Sequence, residues 1–196
     1  MLQEKSFKQT VKLNDAYAEV FCFANNTEAR EFHITVHVTN TELNFNQQLE
    51  TLIDAYNEIR INISDNAVAV FKRYFLSDSA NQENEVYNME TSDCAISVIQ
   101  QPPIDGSKVA LWTYMITGVN TRVLQNGLYR VEHNTYTHLW LGNYNKLEFN
   151  SEYQTRIILQ NYIMKLIETG CTLADNCVRT WFFINDIDNN YNGVVK

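Results

Sequence analysis

Glycine and proline are scarce, at 6 and 2 of 196 residues, a shortage that excludes collagen-like, Gly-rich and Pro-rich linker architectures. Cysteine is sparse as well. Cys22, Cys94, Cys171 and Cys177 are too few and too scattered for a disulfide framework. Five residues separate the last two with no histidine nearby, which is not a zinc-ligand spacing. All four are expected to be packing thiols in a reducing compartment. Nowhere do 18 apolar residues run together, so no membrane-spanning helix is expected, and the start MLQEKSFKQTVKL lacks the apolar centre of a secretory signal. A cytoplasmic location is the default expectation. Basic patches are missing too. Lys and Arg total 15 against 23 Asp and Glu, for a net charge of −8, and the densest basic spot is Lys72-Arg73. Nucleic acid is therefore a poor partner.

What remains is a globular composition, 45% hydrophobic and 19% charged, enough to build one large domain or two small ones. The runs YAEVFCFA (17–24) and EFHITVHV (31–38) are rich in aromatic and β-branched residues and predict an antiparallel pair. From Phe45 the period changes. Phe45, Leu49, Leu52, Ile53, Tyr56 and Ile59 line one face of a helix of about 16 residues, with Asn44 and Gln47 placed for a capping box. AVAVFKRYFL (67–76) predicts a central strand, and SANQENEVYNME (79–90) a short solvated helix. AISVIQ (95–100) and KVALWTYMI (108–116) are read as a hairpin around the loop QPPIDGS. The order predicts an α+β fold, a mixed sheet with helices covering one face.

The pattern then repeats. Ser151 with Gln154 suggests a second capped helix, about 107 residues after Asn44. Val178, Phe183 and Asp186 follow Val70, Phe75 and Asp78 at a nearly equal shift, as do Asn189, Asn192 and Val194 after Asn81, Asn84 and Val86. His138 stands at a similar interval after His33. Such spacing predicts tandem units, the first at 1–122 and the second at 123–196. CVRTWFFI (177–184) would be the second unit's central strand. A counterpart of the 95–116 hairpin would then lie beyond Lys196, so the chain is expected to be the first portion of a longer protein, or to take the missing strands from another chain.

The block Tyr153–Asp186 resembles the YjgF/RidA family. It has Gln154-Thr155-Arg156 on a helix, Gly170 at a turn, then Val178-x-Thr180-x-Phe182 and Asp186. The tandem arrangement is similar to chorismatase-type proteins. The resemblance implies RidA-like (chorismate-mutase-like) units, the second one incomplete, assembled as a trimer or pseudo-trimer. It also implies a small carboxylate metabolite as ligand, bound in a cleft. An enzyme of this kind would be a cofactor-independent hydrolase or deaminase acting on an enamine, imine or enol ether. The family's carboxylate-clamping Arg falls at Asp93 or Cys94, and its water-orienting Glu at Trp112. Neither replacement supports that chemistry, since Asp repels a carboxylate and an indole N–H cannot act as a base. The alternative is a noncatalytic ligand-binding or oligomerisation module. Two residues of the second unit are candidate substrate contacts: Tyr136, which matches the family's Y-S-Q tyrosine although Asn134-Thr135 replace the usual Gly-Pro, and Arg179, a permanent cation on an apolar stretch. No metal or organic cofactor is implied. His33 and His37, four apart on one strand face, lie about 13 Å from each other, too far for one metal. NDIDNNYNG lacks the glutamate of a calcium loop and is read as a strand-to-helix turn.

Overall fold

The computed structural model describes residues 6–24, 29–64, 66–91, 93–133, 135–143, 145 and 150–196. The chain divides into two compact units, Met1–Gly142 and Asn143–Lys196. The first holds β1 (Phe7–Leu13), β2 (Ala16–Ala24), β3 (Arg30–Val38), α1 (Phe45–Ile63), β4 (Ala67–Leu76), α2 (Ser79–Met89), β5 (Ala95–Gln100), β6 (Val109–Thr117), β7 (Asn120–Val123), β8 (Tyr129–His133) and β9 (Tyr136–Trp140). Six strands form a mixed sheet in the order β1-β2-β3-β6-β4-β5, and β7-β8-β9 form a second, antiparallel sheet.

Residue alternation decides which face is dry. Ala16, Ala18, Val20 and Cys22 of β2 and Phe32, Ile34, Val36 and Val38 of β3 point to one face and meet Leu49, Leu52, Tyr56 and Ile59 of α1. Each fully buried Leu or Ile there contributes about 1.5–3 kcal/mol. The α1 cap is as expected: the Gln47 N–H donates to Asn44 Oδ1 at 3.0 Å, and the Asn44 N–H to Gln47 Oε1 at 3.1 Å. The helix runs 19 residues, three more than the apolar period suggests.

Residues 95–100 and 108–116 do not form the expected hairpin. β5 pairs in parallel with β4, after the α2 crossover, while β6 inserts between β3 and β4. Residues 101–108 therefore pass the end of β4 instead of folding β6 back on β5. Two strand spacings, about 10 Å, are easily spanned by that length. β1, unforeseen in FKQTVKL, adds an edge beside β2.

On the dry face, Lys72 and Glu90 form an ion pair with Nζ–oxygen distances of 2.8 and 3.0 Å, the side chains 3% and 4% exposed. The Tyr74 hydroxyl also donates to Glu90, and Lys72 lies 4.2 Å from the Tyr56 ring centroid. This network ties the C-cap of α2 to β4. Burial, reinforced by the Glu90 charge, pushes the Tyr74 phenol far above its ordinary range. Burial likewise pushes the Cys94 thiol up to about 12, which leaves it protonated and inert. All four cysteines are free thiols, Cys22 buried and the others partly so.

The second unit contains α3 (Ser151–Ile167), α4 (Leu173–Asn176) and α5 (Ile187–Val194). The cap of α3 is Asn150, not Ser151: the Tyr153 N–H donates to Asn150 Oδ1 at 3.0 Å, and the Ser151 hydroxyl instead donates to the Asn190 carbonyl at 2.9 Å. α5 begins at Ile187, and Asp186 precedes it in a left-handed conformation. The expected strand at 177–184 is absent. Val178 is 97% exposed, and Trp181, Phe182 and Phe183 are also exposed. Its counterpart β4 is a strand because β5 and β6 hydrogen-bond to both of its edges, whereas no described strand borders 177–184. An extended run without pairing partners does not hold as a strand.

Candidate functional site

The sheet face opposite α1 carries the unusual chemistry. Register sets Phe21, His33, Tyr114 and Phe71 side by side across β2, β3, β6 and β4, and sets Thr35, Trp112 and Arg73 in the next row. Rings touch along and between these rows. His33 stacks on Tyr114 at 4.9 Å and on Trp112 at 5.8 Å, and Phe71 meets Trp112 at 5.8 Å. The Arg73 guanidinium lies 5.1 Å from the Phe71 ring and 5.6 Å from that of Trp112. The pair Lys72-Arg73 is thus split by strand alternation, the lysine to the helix side and the arginine to the other.

The β8–β9 hairpin packs on this face. Cross-strand pairs Tyr129/Trp140, Val131/His138 and His133/Tyr136 share one side of the small sheet. Its first rungs are dry. Tyr129 and Val131 are buried with Val70, Phe71, Tyr114 and Ile116, and Trp140 meets Phe71 at 5.5 Å and Tyr114 at 5.4 Å. Gly142 just beyond lies so close to the Ile96 backbone that no side chain would fit. The last rung is polar. His133, 8% exposed, has Tyr136 edge-on at 4.3 Å and His138 at 5.0 Å. The facing strands present Glu31, which accepts a 2.8 Å hydrogen bond from the Tyr114 hydroxyl.

The polar atoms here are poorly matched. Both ring nitrogens of His133, Nδ1 of His138 and Nε1 of Trp140 are buried with no hydrogen-bond partner among the described residues. Groups of this kind normally find partners, and each left alone costs about 1–3 kcal/mol. Burial and then the neighbouring His133 hold the His138 pKa below the ordinary histidine value, with Glu31 pulling the other way. Burial drives the Tyr114 phenol well up, and the hydrogen bond to Glu31 adds to this, so Tyr114 remains a donor. Two imidazoles, an indole N–H and a phenol gathered among aromatic rings are groups that can hold a small planar ligand that brings acceptor atoms.

Of the two substrate contacts expected from sequence, Tyr136 lies at the edge of this group, against His133 and His138 and 52% exposed. Asn134, which replaces a family residue beside it, is outside the described residues. Arg179 lies in the other unit, exposed and outside any strand, 5.5 Å from the Trp181 ring. The positions matched to the family's Arg and Glu also separate: Cys94 is partly buried near Lys72 and Glu90, and Trp112 stacks with Arg73. His133, His138 and Trp140 were not singled out from sequence as site residues. The period-two spacing of Tyr136, His138 and Trp140 is the signal that places them on one face. Among the described residues there is no cluster of three or more His, Cys, Asp or Glu that could hold a metal ion, and no helix long and apolar enough to cross a membrane.

No protein-family profile matches the chain, and no curated protein matches it. A solved structure of a Salmonella typhimurium protein, described provisionally as a translation initiation inhibitor, is similar to 56% of this chain and 96% of its own, at 14% identity and a TM-score of 0.39.

Proposed function

We propose that the protein is a ligand-binding module of RidA-like type that takes a small carboxylate metabolite between the β8–β9 hairpin and the six-stranded sheet. The observation that carries this reading is the set of buried nitrogens without partners on His133, His138 and Trp140. A carboxylate offers about four acceptor sites, and donors already free of water bind it without a further desolvation cost. Tyr114, Trp140 and Tyr136 supply ring surface for the ligand's apolar part. Binding without turnover fits the residues better than hydrolysis. Glu31, the carboxylate nearest these groups, is engaged by the Tyr114 hydroxyl, and Asp93, Cys94 and Trp112 cannot supply the family's clamp and water-orienting groups. Tyr136 belongs to this reading and Arg179 does not. Four free thiols fit a cytoplasmic setting.

Calorimetric titration of the full chain with benzoate and with pyruvate tests the proposal. Saturable binding of either, weakened about tenfold in Trp140→Phe, is the expected result. No binding of either up to millimolar concentration would overturn it.

A second reading, self-association through the same face, is favoured by Phe21 and Phe23 of β2, which stand 39% and 55% exposed beside the His33 row. Light scattering distinguishes the two: a trimer that Phe21→Ser and Phe23→Ser dissociate, with carboxylate binding lost alongside, would make the face an interface first.

A further inference from the structure

Resting on the carboxylate-binding reading, we infer that the site beneath the hairpin binds a monoanionic carboxylate together with one proton, taken by the His133–His138 pair, and so discriminates against dianions. The two imidazole centroids are 5.0 Å apart, and the rings meet edge to face at 82°. Each neutral imidazole has one N–H donor and one bare nitrogen, so the pair has a proton acceptor to spare. Among the described residues, the charged and titratable groups on the elements packed around the pair are Glu31 from β3, with His33 beside Tyr114, Tyr114 from β6, which donates to Glu31, and Tyr136 within the hairpin itself, while the Arg73 guanidinium of β4 lies farther along the face, against Phe71 and Trp112. Burying a carboxylate beside Glu31 without a counter-charge costs several kcal/mol. A proton on one imidazole offsets the charge that the ligand brings. A second proton is opposed by the first at this separation. With one proton, a monoanion leaves the net charge of the site as it was before binding, whereas a dianion leaves it one unit more negative.

The unliganded site already leans toward this behaviour. Burial and His133 keep His138 neutral near pH 7, so the proton is taken up when the anion arrives.

The experiment is calorimetric titration of the full chain at pH 7.5 with benzoate, in buffers of differing ionisation enthalpy, with phthalate as a dianion of the same ring. Uptake of about half a proton or more per benzoate, together with phthalate binding at least about tenfold more weakly, is expected. Benzoate binding with less uptake than that, or phthalate binding as tightly as benzoate, overturns the inference and leaves the carboxylate-binding reading standing. No binding of benzoate or pyruvate overturns that reading and this inference with it. His138→Gln, which keeps hydrogen-bonding capacity without a titratable nitrogen, is expected to bind benzoate with its proton uptake at least halved. Unchanged uptake in that variant counts against the pair. Should His138→Gln fail to fold, the wild-type uptake and the phthalate comparison still decide.

Discussion

Lys72 of β4 and Glu90 at the end of α2 are joined by hydrogen bonds of 2.8 and 3.0 Å from one ammonium to both carboxylate oxygens, each side chain almost wholly buried. One residue away on the same strand, Arg73 faces the opposite side of the sheet and lies against Trp112. A two-residue basic spot thus serves two surfaces, one structural and one open to function.

Removing a single partner of the buried pair leaves the other charge uncompensated. Lys72→Met and Glu90→Gln are each expected to lower unfolding free energy by about 3–5 kcal/mol, whereas Lys72→Met with Glu90→Leu together costs less than the sum. Urea denaturation of the three variants checks this, and additive losses would argue that the pair does not act as a unit.

The Trp140 indole N–H has no partner among the described residues, so deleting it is expected to cost the empty protein little. Trp140→Phe should unfold within about 1 kcal/mol of the wild type while losing about tenfold in carboxylate affinity. A larger loss of stability would mean that the indole holds the hairpin in place through packing alone.

The α1 capping box was legible before any coordinates, because an Asn and a Gln three residues apart precede a strict apolar period. Asn44→Ala is expected to cost about 1 kcal/mol, and Asn150→Ala about as much within the second unit, whereas Ser151→Ala leaves the α3 cap intact. Thermal denaturation and amide exchange of the first turns separate these cases.

Other features were hidden for physical reasons. Neighbouring strands in sequence suggest a hairpin, and nothing in AISVIQ or KVALWTYMI announces that β4 lies between them. β1 was unread because FKQTVKL is mostly polar and is ordered chiefly by its pairing with β2. The run 177–184 has strand composition but no neighbouring strand, so local propensity went unrewarded. His133 and His138 become neighbours only through the register of β8 and β9, which spacing alone does not reveal.

Apolar side chains exposed along 177–184 are an association hazard. Val178→Asn with Phe182→Ser is expected to reduce concentration-dependent aggregation without shifting the unfolding of the first unit, as measured by light scattering and denaturation. Loss of stability in the first unit would contradict the account of this segment.

The depressed His138 pKa carries a sign. A base whose folded pKa lies below the unfolded value of about 6.5 contributes stability that is present above that pH and is lost as pH falls through the folded value. Stability of the empty protein should therefore decline on acidification below about pH 6.5, and the decline should flatten in His138→Gln. Denaturation midpoints between about pH 5 and 7.5 read this directly.

The central claim, that unpartnered donors beneath the β8–β9 hairpin receive a carboxylate, is tested most directly by nuclear magnetic resonance of the three indole N–H groups during titration with benzoate. The account predicts a saturable downfield shift of the Trp140 indole proton, missing from Trp140→Phe and matched by shifts of the His133 and His138 ring nitrogens. An indole signal of Trp140 that stays in place while benzoate binds elsewhere, or while nothing binds, would contradict it.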